Sequence, residues 1–490
     1  MDPYPQLGPL QQAATETGDI SPEEFRRFGH EVVDWIAEYV GGVGELPVLG
    51  DVRPGEVAAK LPASAPEQPE GFDEILRDFR DIIVPGTMHW NHPAFLAYFA
   101  ITGAGPGILG EMLTAALNNN AMLWRTGPAQ TELEERTLDW LRQMMGLPEA
   151  FRGTIQDTAS ISTLIAVAAA REEAGLQVRE EGMSGRDLPK LRLYCSEEAH
   201  SSIEKAGITV GIGRTGTRRI ATDDAFRMDP AALERAIEED KASGTRPFCV
   251  VATTGTTSTS SIDPVAAIAD VCERHGLWLH VDAAYGGSAA IVPELRGVLD
   301  GAGRADSIVV NPHKWLFVPI DCSVLYLRRP EVVRRAFSLI PEYLVTPEGE
   351  SVTNLMDYGP ALGKRFRSLK LWMTLRRFGA EGMAARIREH VRLARLFADW
   401  VDAEPGWERM APVPLSLVVF RHRPEGMGEE ATNAHNEQVM AAVNASGEAL
   451  LSHTKLNGRT ALRLAVGNLR TTEAHVAHAW DLLRRAVAES

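Results

Sequence analysis

Five short segments of this chain are almost wholly apolar, and they constrain its fold more than any other feature. They span residues 191–195, 248–253, 277–281, 307–310 and 323–327. Apolar runs of that length read as strands buried on both faces. Helical stretches lie between some of them, near 160–173, 230–239 and 264–274. Strand and helix in that alternation predict a mostly parallel sheet, covered on both sides. Such sheets carry their chemistry outside the carboxyl ends of the strands.

The flanks differ in texture. Residues 1–20 read as a loose arm. Ser21-Pro22-Glu23-Glu24 has the pattern of a capping box with proline at the first helical position. Phe25, Phe28, Val32, Trp35, Ile36 and Tyr39 then recur at helical spacing. Five prolines interrupt residues 46–70, which read as a linker, and a second helix is expected near 72–83. The apolar stripe lacks cover in so short a segment, so it is expected to bury against another part of the molecule or a partner subunit. Beyond about Gly379 the pattern is a long helix near 383–400, a strand near 415–421, another helix, two short strands and a last helix near 473–487. The expected division is an N-terminal helical segment (1–85), a large domain (86–379) and a small α+β domain (380–490).

The 490 residues carry 50 basic and 66 acidic side chains, a formal charge of −16. That balance argues against a general nucleic-acid binder and against docking on anionic membranes. No window has the length and apolarity of a membrane span, and the first residues have no secretory pattern. Cys195, Cys249, Cys272 and Cys322 form no CxxC pair and read as buried thiols in a reducing compartment. A cytoplasmic enzyme is the expectation.

Some motifs are decoys. Gly211 to Gly216 spells GxGxxG, but a strand and turn follow it where a dinucleotide site needs a helix. The SxxK at Ser202–Lys205 lacks its companion motifs. His475 and His478 have no third ligand nearby, and no metal is expected.

The informative pattern lies at the strand ends. One run ends in Asp282, another in Asn311-Pro312-His313-Lys314, a third in the Thr/Gly cluster at 253–257, and a fourth leads to His200-Ser201-Ser202. Thr158, Ser160 and Ser162 open a helix. A hydroxyl-rich helix N-terminus suits a phosphate. A lysine beside apolar strands can bond an aldehyde. A carboxylate can keep a ring nitrogen protonated, and an imidazole can stack on a flat ring. Phosphate, aldehyde and pyridine nitrogen on one molecule describe pyridoxal 5'-phosphate (PLP).

The segments MHWNHPAFLAYF, GPAQTELEERTLDWL, HSSIEKAG, HVDAAYGGSA, NPHKW and GKRFRSLKLW lie between residues 88 and 372, within a resemblance that runs from about residue 20 to the C-terminus. In that order they resemble the group II PLP-dependent decarboxylases, and within them the aromatic-L-amino-acid decarboxylases. The resemblance implies a fold-type I, aspartate-aminotransferase-like large domain with a mostly parallel seven-stranded sheet. It also implies a small C-terminal domain, an N-terminal segment that wraps a second subunit, and a homodimer with sites at the interface. By the same resemblance Lys314 bonds the cofactor aldehyde, Asp282 pairs with the pyridine nitrogen, and His200 stacks on the ring opposite Ala284. Thr158, Ala159, Ser160, Asn311 and His313 sit at the phosphate, and Thr253 near the ring. Asp157 departs from the glycine usual in the family, so its carboxylate is expected to point away or to be paired.

Tyr343 falls in a breaker-rich stretch that resembles the family's mobile catalytic loop, where tyrosine returns a proton to carbon after CO2 leaves. Relatives with phenylalanine there tend toward aldehydes. Trp90, Phe95, Tyr98, Phe99, Leu123 and Trp315 are implied near the substrate side chain. Gly363 stands where the family tends to have glycine for indole substrates and serine for phenolic ones. The expected reaction is decarboxylation of tryptophan or 5-hydroxytryptophan, then phenylalanine, tyrosine or DOPA, to the arylalkylamine. The alternatives are an aromatic aldehyde synthase, a decarboxylase of an acidic or diamino substrate, and an inactive binding paralogue. Intact Lys314, Asp282 and His200 argue against the last.

Overall fold

The computed structural model describes residues 19–50, 52–339, 344 and 346–489. The chain divides into two compact units, Met1–His92 and Pro93–Ser490. Residues 380–490 lie in the second unit and carry a smaller sheet of their own.

In the N-terminal unit the helix Pro22–Gly42 starts on a reciprocal cap. Ser21 Oγ accepts the Glu24 N–H, and the Glu24 carboxylate accepts the Ser21 N–H at 3.0 Å. The helix Phe72–Asp78 runs on into a π-helical turn, Phe79–Ile83. Trp35 stacks on Tyr39 and meets the edge of Phe79, and Phe28 packs on Phe72. The apolar stripe thus covers part of itself, although Phe25 stays 64% exposed.

The second unit is built on a seven-stranded sheet. Its strands are β1 (Arg152–Gln156), β2 (Leu191–Ser196), β3 (Thr217–Ile220), β4 (Arg246–Thr253), β5 (Trp278–Asp282), β6 (Ser307–Val310) and β7 (Ser323–Leu327). Their spatial order is β1-β7-β6-β5-β4-β2-β3. All pairs are parallel except β1–β7 and β6–β7. Strands β5, β6 and β7 are buried at every position, because helices cover both faces. This is the fold-type I PLP-enzyme architecture. A four-stranded antiparallel sheet, order β10-β11-β9-β8, forms the smaller layer from β8 (Trp407–Arg409), β9 (Leu417–His422), β10 (Ser452–Leu456) and β11 (Arg459–Ala465).

The long helix starts earlier than the sequence suggests and spans Arg367–Ala403, broken at Gly379, where φ is +65°. The glycines at 211–216 make a turn and a 3-10 segment leading straight into β3, so no helix presents its N-terminus there. All four cysteines are buried. Among the described residues no helix is long and apolar enough to cross a membrane.

Candidate active site

The carboxyl ends of the central strands converge on one cavity of about 200 Å³. Asp282 ends β5, directly opposite Thr253 at the end of β4, so both side chains point to the same face. Asn311 follows β6, and the one-turn helix Pro312–Trp315 carries His313 and Lys314 to the cavity. β1 leads to Thr158, the N-cap of the helix Ala159–Glu173, which brings Thr158, Ala159 and Ser160 to the wall. β2 leads to His200, which caps the helix Ser201–Thr209 and also lines the cavity, as does Ala284. Five strand ends, far apart in sequence, thus meet at one cavity.

The hydrogen bonds fix several protons. The Ser202 N–H donates to His200 Nδ1 at 3.1 Å, so that nitrogen accepts and the neutral ring carries its proton on Nε2. Burial lowers the His200 pKa, against the pull of Asp282 and with the push of Lys314. The imidazole is therefore neutral near pH 7. Burial also lowers the Lys314 pKa, opposed by Asp282, which favours the neutral amine that a Schiff base requires. Asp282 itself is 5% exposed and accepts the Ala284 N–H at 3.1 Å.

The donor set fits PLP. Ala159 and Ser160 present first-turn N–H groups that have no intrahelical acceptor. The Cys322 N–H donates to His313 Nδ1 at 2.9 Å, and burial pulls the His313 pKa down to about 4. Its Nε2 must then carry the proton. Yet Asn311 Nδ2, also a donor, lies 3.2 Å from Nε2, while Asn311 Oδ1 is buried without a partner. Turning the amide over resolves both conflicts and leaves the NH2 group without an acceptor beside the cavity. Thr253 Oγ1 is likewise buried and unpartnered. Buried polar atoms in that state need a ligand or water. An anion at the helix start and a polar ring between Thr253, Asp282 and His200 would satisfy them.

Asp157 does not line the cavity, and among the described residues it forms no ion pair. Its Oδ1 accepts the Thr158 N–H at 2.6 Å and lies 3.3 Å from Thr158 Oγ1.

The residues implied for the substrate side chain are dispersed. Phe99 alone among them lines the cavity, with Lys314 Nζ 5.6 Å from its ring centroid. Phe95 is buried in a backbone bridge to Leu450, and Tyr98, at φ +53°, is 53% exposed. Trp315 is fully buried beneath the cavity floor. Leu123 packs with Leu344 and Met356, and Gly363 is exposed beside Asn120. Trp90 is half-buried in the N-terminal unit. Tyr343 lies outside the described residues.

Other residues at the cavity come from segments that the sequence flags without singling them out: Ser202, Gly255, Thr257 and Tyr285. Tyr285 stacks on Phe99 at 3.8 Å and on Trp315 at 4.5 Å. Arg463 gives no signal in the sequence, because it interrupts an apolar strand. Its guanidinium is 5.6 Å from the Phe99 centroid, on the side chain of a residue only 4% exposed. It donates to the Thr257 carbonyl at 2.6 Å, the Ser258 carbonyl at 3.2 Å and Ser452 Oγ at 2.8 Å.

Comparison with known proteins agrees with this geometry. The sequence profile of the pyridoxal-dependent decarboxylase conserved domain matches residues 54–423. Tryptophan decarboxylase TDC2 of Camptotheca acuminata is 40% identical over 484 residues, covering 96% of both chains. Phenylacetaldehyde synthase of Arabidopsis thaliana is also 40% identical, over 475 residues, covering 95% of this chain and 96% of that one. The crystal structure of Oryza sativa TDC with PLP and tryptamine superposes with a TM-score of 0.93 at 37% identity, covering 96% of this chain and 99% of that one. The chain belongs to the pyridoxal-dependent decarboxylase family and is a PLP-dependent carboxy-lyase.

Proposed function

We propose that the chain decarboxylates an aromatic L-amino acid to the arylalkylamine and CO2, with tryptophan or 5-hydroxytryptophan preferred and phenylalanine, tyrosine or DOPA also accepted. The observation that carries this reading is the convergence of Lys314, Asp282 and His200 on a cavity walled by Phe99 and Tyr285. An apolar aromatic wall favours a flat side chain over a carboxylate or an ammonium group. The preference for an indole rests on the family resemblance at Gly363, which lies exposed beside Asn120 and does not line this cavity.

When bound, PLP supplies an electron sink for the electrons left on the substrate's α-carbon as CO2 departs. The chain's own residues prepare the site for it. Lys314 anchors the cofactor through its amine, whose burial favours the uncharged form. Asp282 keeps the pyridine nitrogen protonated by its negative charge. The neutral ring of His200 forms one wall, with Ala284 opposite. Thr158, Ala159, Ser160, Asn311 and His313 hold the phosphate, and Thr253 lies near the ring. Tyr343 returns a proton to the α-carbon, which gives an amine.

The relatives include both a decarboxylase and an aldehyde synthase at the same identity, so Tyr343 is the feature that favours the amine. A homodimer completes the reading. The helix Gly105–Leu117 exposes Leu109, Met112, Leu113 and Leu117 along one face, a stripe suited to a second copy. A cytoplasmic setting agrees with the four unpaired cysteines.

The test is mass spectrometry of products from the PLP-loaded protein with tryptophan, 5-hydroxytryptophan, phenylalanine, tyrosine, DOPA, histidine, glutamate and 2,4-diaminobutyrate. Aromatic amines are expected. Amines from glutamate or diaminobutyrate alone would contradict the substrate reading, and aldehydes would contradict the role of Tyr343.

A further inference from the structure

The carboxylate of Asp157 stands at the start of the helix that the phosphate needs, and among the described residues it has no countercharge in contact. Its Oδ1 accepts the Thr158 N–H at 2.6 Å and faces Thr158 Oγ1 at 3.3 Å. Thr158 is the N-cap of the helix Ala159–Glu173, yet its hydroxyl caps nothing there. An N-cap hydroxyl ordinarily accepts a first-turn N–H. This one is turned toward Asp157, and the adjacent amide is engaged as well.

The cations around Asp157 are committed elsewhere. Lys364 Nζ donates to Gln156 Oε1 at 3.2 Å, and Arg367 pairs with Asp321 at 2.9 Å. Both feel the charge of Asp157, but among the described residues neither lies within ion-pair distance of it. A helix N-terminus attracts anions through its free N–H groups and its dipole. Here a carboxylate already uses two nearby donors and adds a negative charge that a phosphate dianion must approach.

From this arrangement we infer that Asp157 weakens the protein's hold on the phosphate of its cofactor, so that the cofactor exchanges with solution. Asp157 acts through Thr158 and through its charge, and is a positioning residue. The inference rests on the assignment of the phosphate to Thr158–Ser160.

The test is equilibrium titration of the full-length chain, stripped of cofactor, followed by protein fluorescence. The ligands are PLP and, separately, pyridoxal, which lacks the phosphate. Asp157→Asn removes the charge and keeps the acceptor. Asp157→Gly removes both. PLP is expected to bind Asp157→Gly about tenfold more tightly than the unaltered protein, the change carried by 1.4 kcal/mol, with Asp157→Asn between them. Pyridoxal should bind all three alike. Unchanged or weaker PLP binding in both variants would overturn the inference, as would equal tightening toward pyridoxal. Saturable PLP binding by the unaltered chain, lost on adding Ser160→Glu, tests the phosphate assignment separately.

Discussion

The indole N–H of Trp315 donates to Nδ1 of His390 at 2.9 Å, and the two rings are nearly parallel, with centroids 6.5 Å apart. Trp315 directly follows Lys314, so this bond ties the lysine's short helix to the long helix Arg367–Ala403. Above Trp315 lie Tyr285 and then Phe99, which forms a wall of the cavity. The floor of the site is therefore a stack of rings anchored by a histidine.

His390→Leu leaves the buried indole N–H without an acceptor, at a cost of about 1–3 kcal/mol. The cost depends on pH. Burial pulls the His390 pKa from 6.5 to about 4. Between those values the unfolded chain takes up a proton that the folded chain does not. The contribution of His390 is thus full above pH 6.5 and is lost as pH falls toward 4. Urea denaturation should show the largest gap between wild type and variant at pH 7, narrowing toward pH 4. A gap independent of pH would contradict this.

Asp282→Asn keeps an acceptor for the Ala284 N–H and removes the charge. The protein should fold normally, while decarboxylation slows by about 10²–10⁴-fold, the range typical of lost proton control. Because Asp282 raises the Lys314 pKa, the pH profile of cofactor attachment should also move to lower pH. An unchanged rate would mean that another group protonates the ring nitrogen.

Arg463→Leu should destabilise the protein by about 3 kcal/mol or more, since it strands the carbonyls of Thr257 and Ser258 and takes one of two donors from Ser452 Oγ. Burial pulls this guanidinium down to about 10, a sign of how little solvent reaches it. Arg463→Lys should recover little, because one ammonium cannot span the same acceptors. Thermal unfolding of the two variants checks both statements.

Tyr343→Phe should shift products from amine toward aldehyde and peroxide. An unchanged product ratio would remove Tyr343 as the proton donor.

Much of this site was legible in the sequence because strand ends in a parallel sheet must converge. Asp282, Asn311 and Thr253 each follow an apolar run that no partly solvated strand would tolerate, and so each could be placed at the same edge. Edge strands were harder to read. β1 (RGTIQ) and β8 (WER) are short and partly polar, and each has a neighbour on one side only. The substrate side was harder still. Phe95, Tyr98 and Phe99 are close in sequence but lie in irregular backbone, so no period says which faces the cavity. Trp315 adjoins Lys314, yet a single helical turn sends the two side chains to opposite environments. Arg463 reaches the site from the second sheet, a juxtaposition that only tertiary folding creates.

The most direct measurement is borohydride reduction of the PLP-loaded protein followed by peptide mass mapping. Reduction fixes the cofactor to whichever amine holds it. The pyridoxyl mass is expected on the peptide containing Lys314, and to be absent from Lys314→Ala. Its appearance on another lysine, such as the buried Lys364, or a failure to label any lysine, would contradict the placement of the chemistry in this cavity.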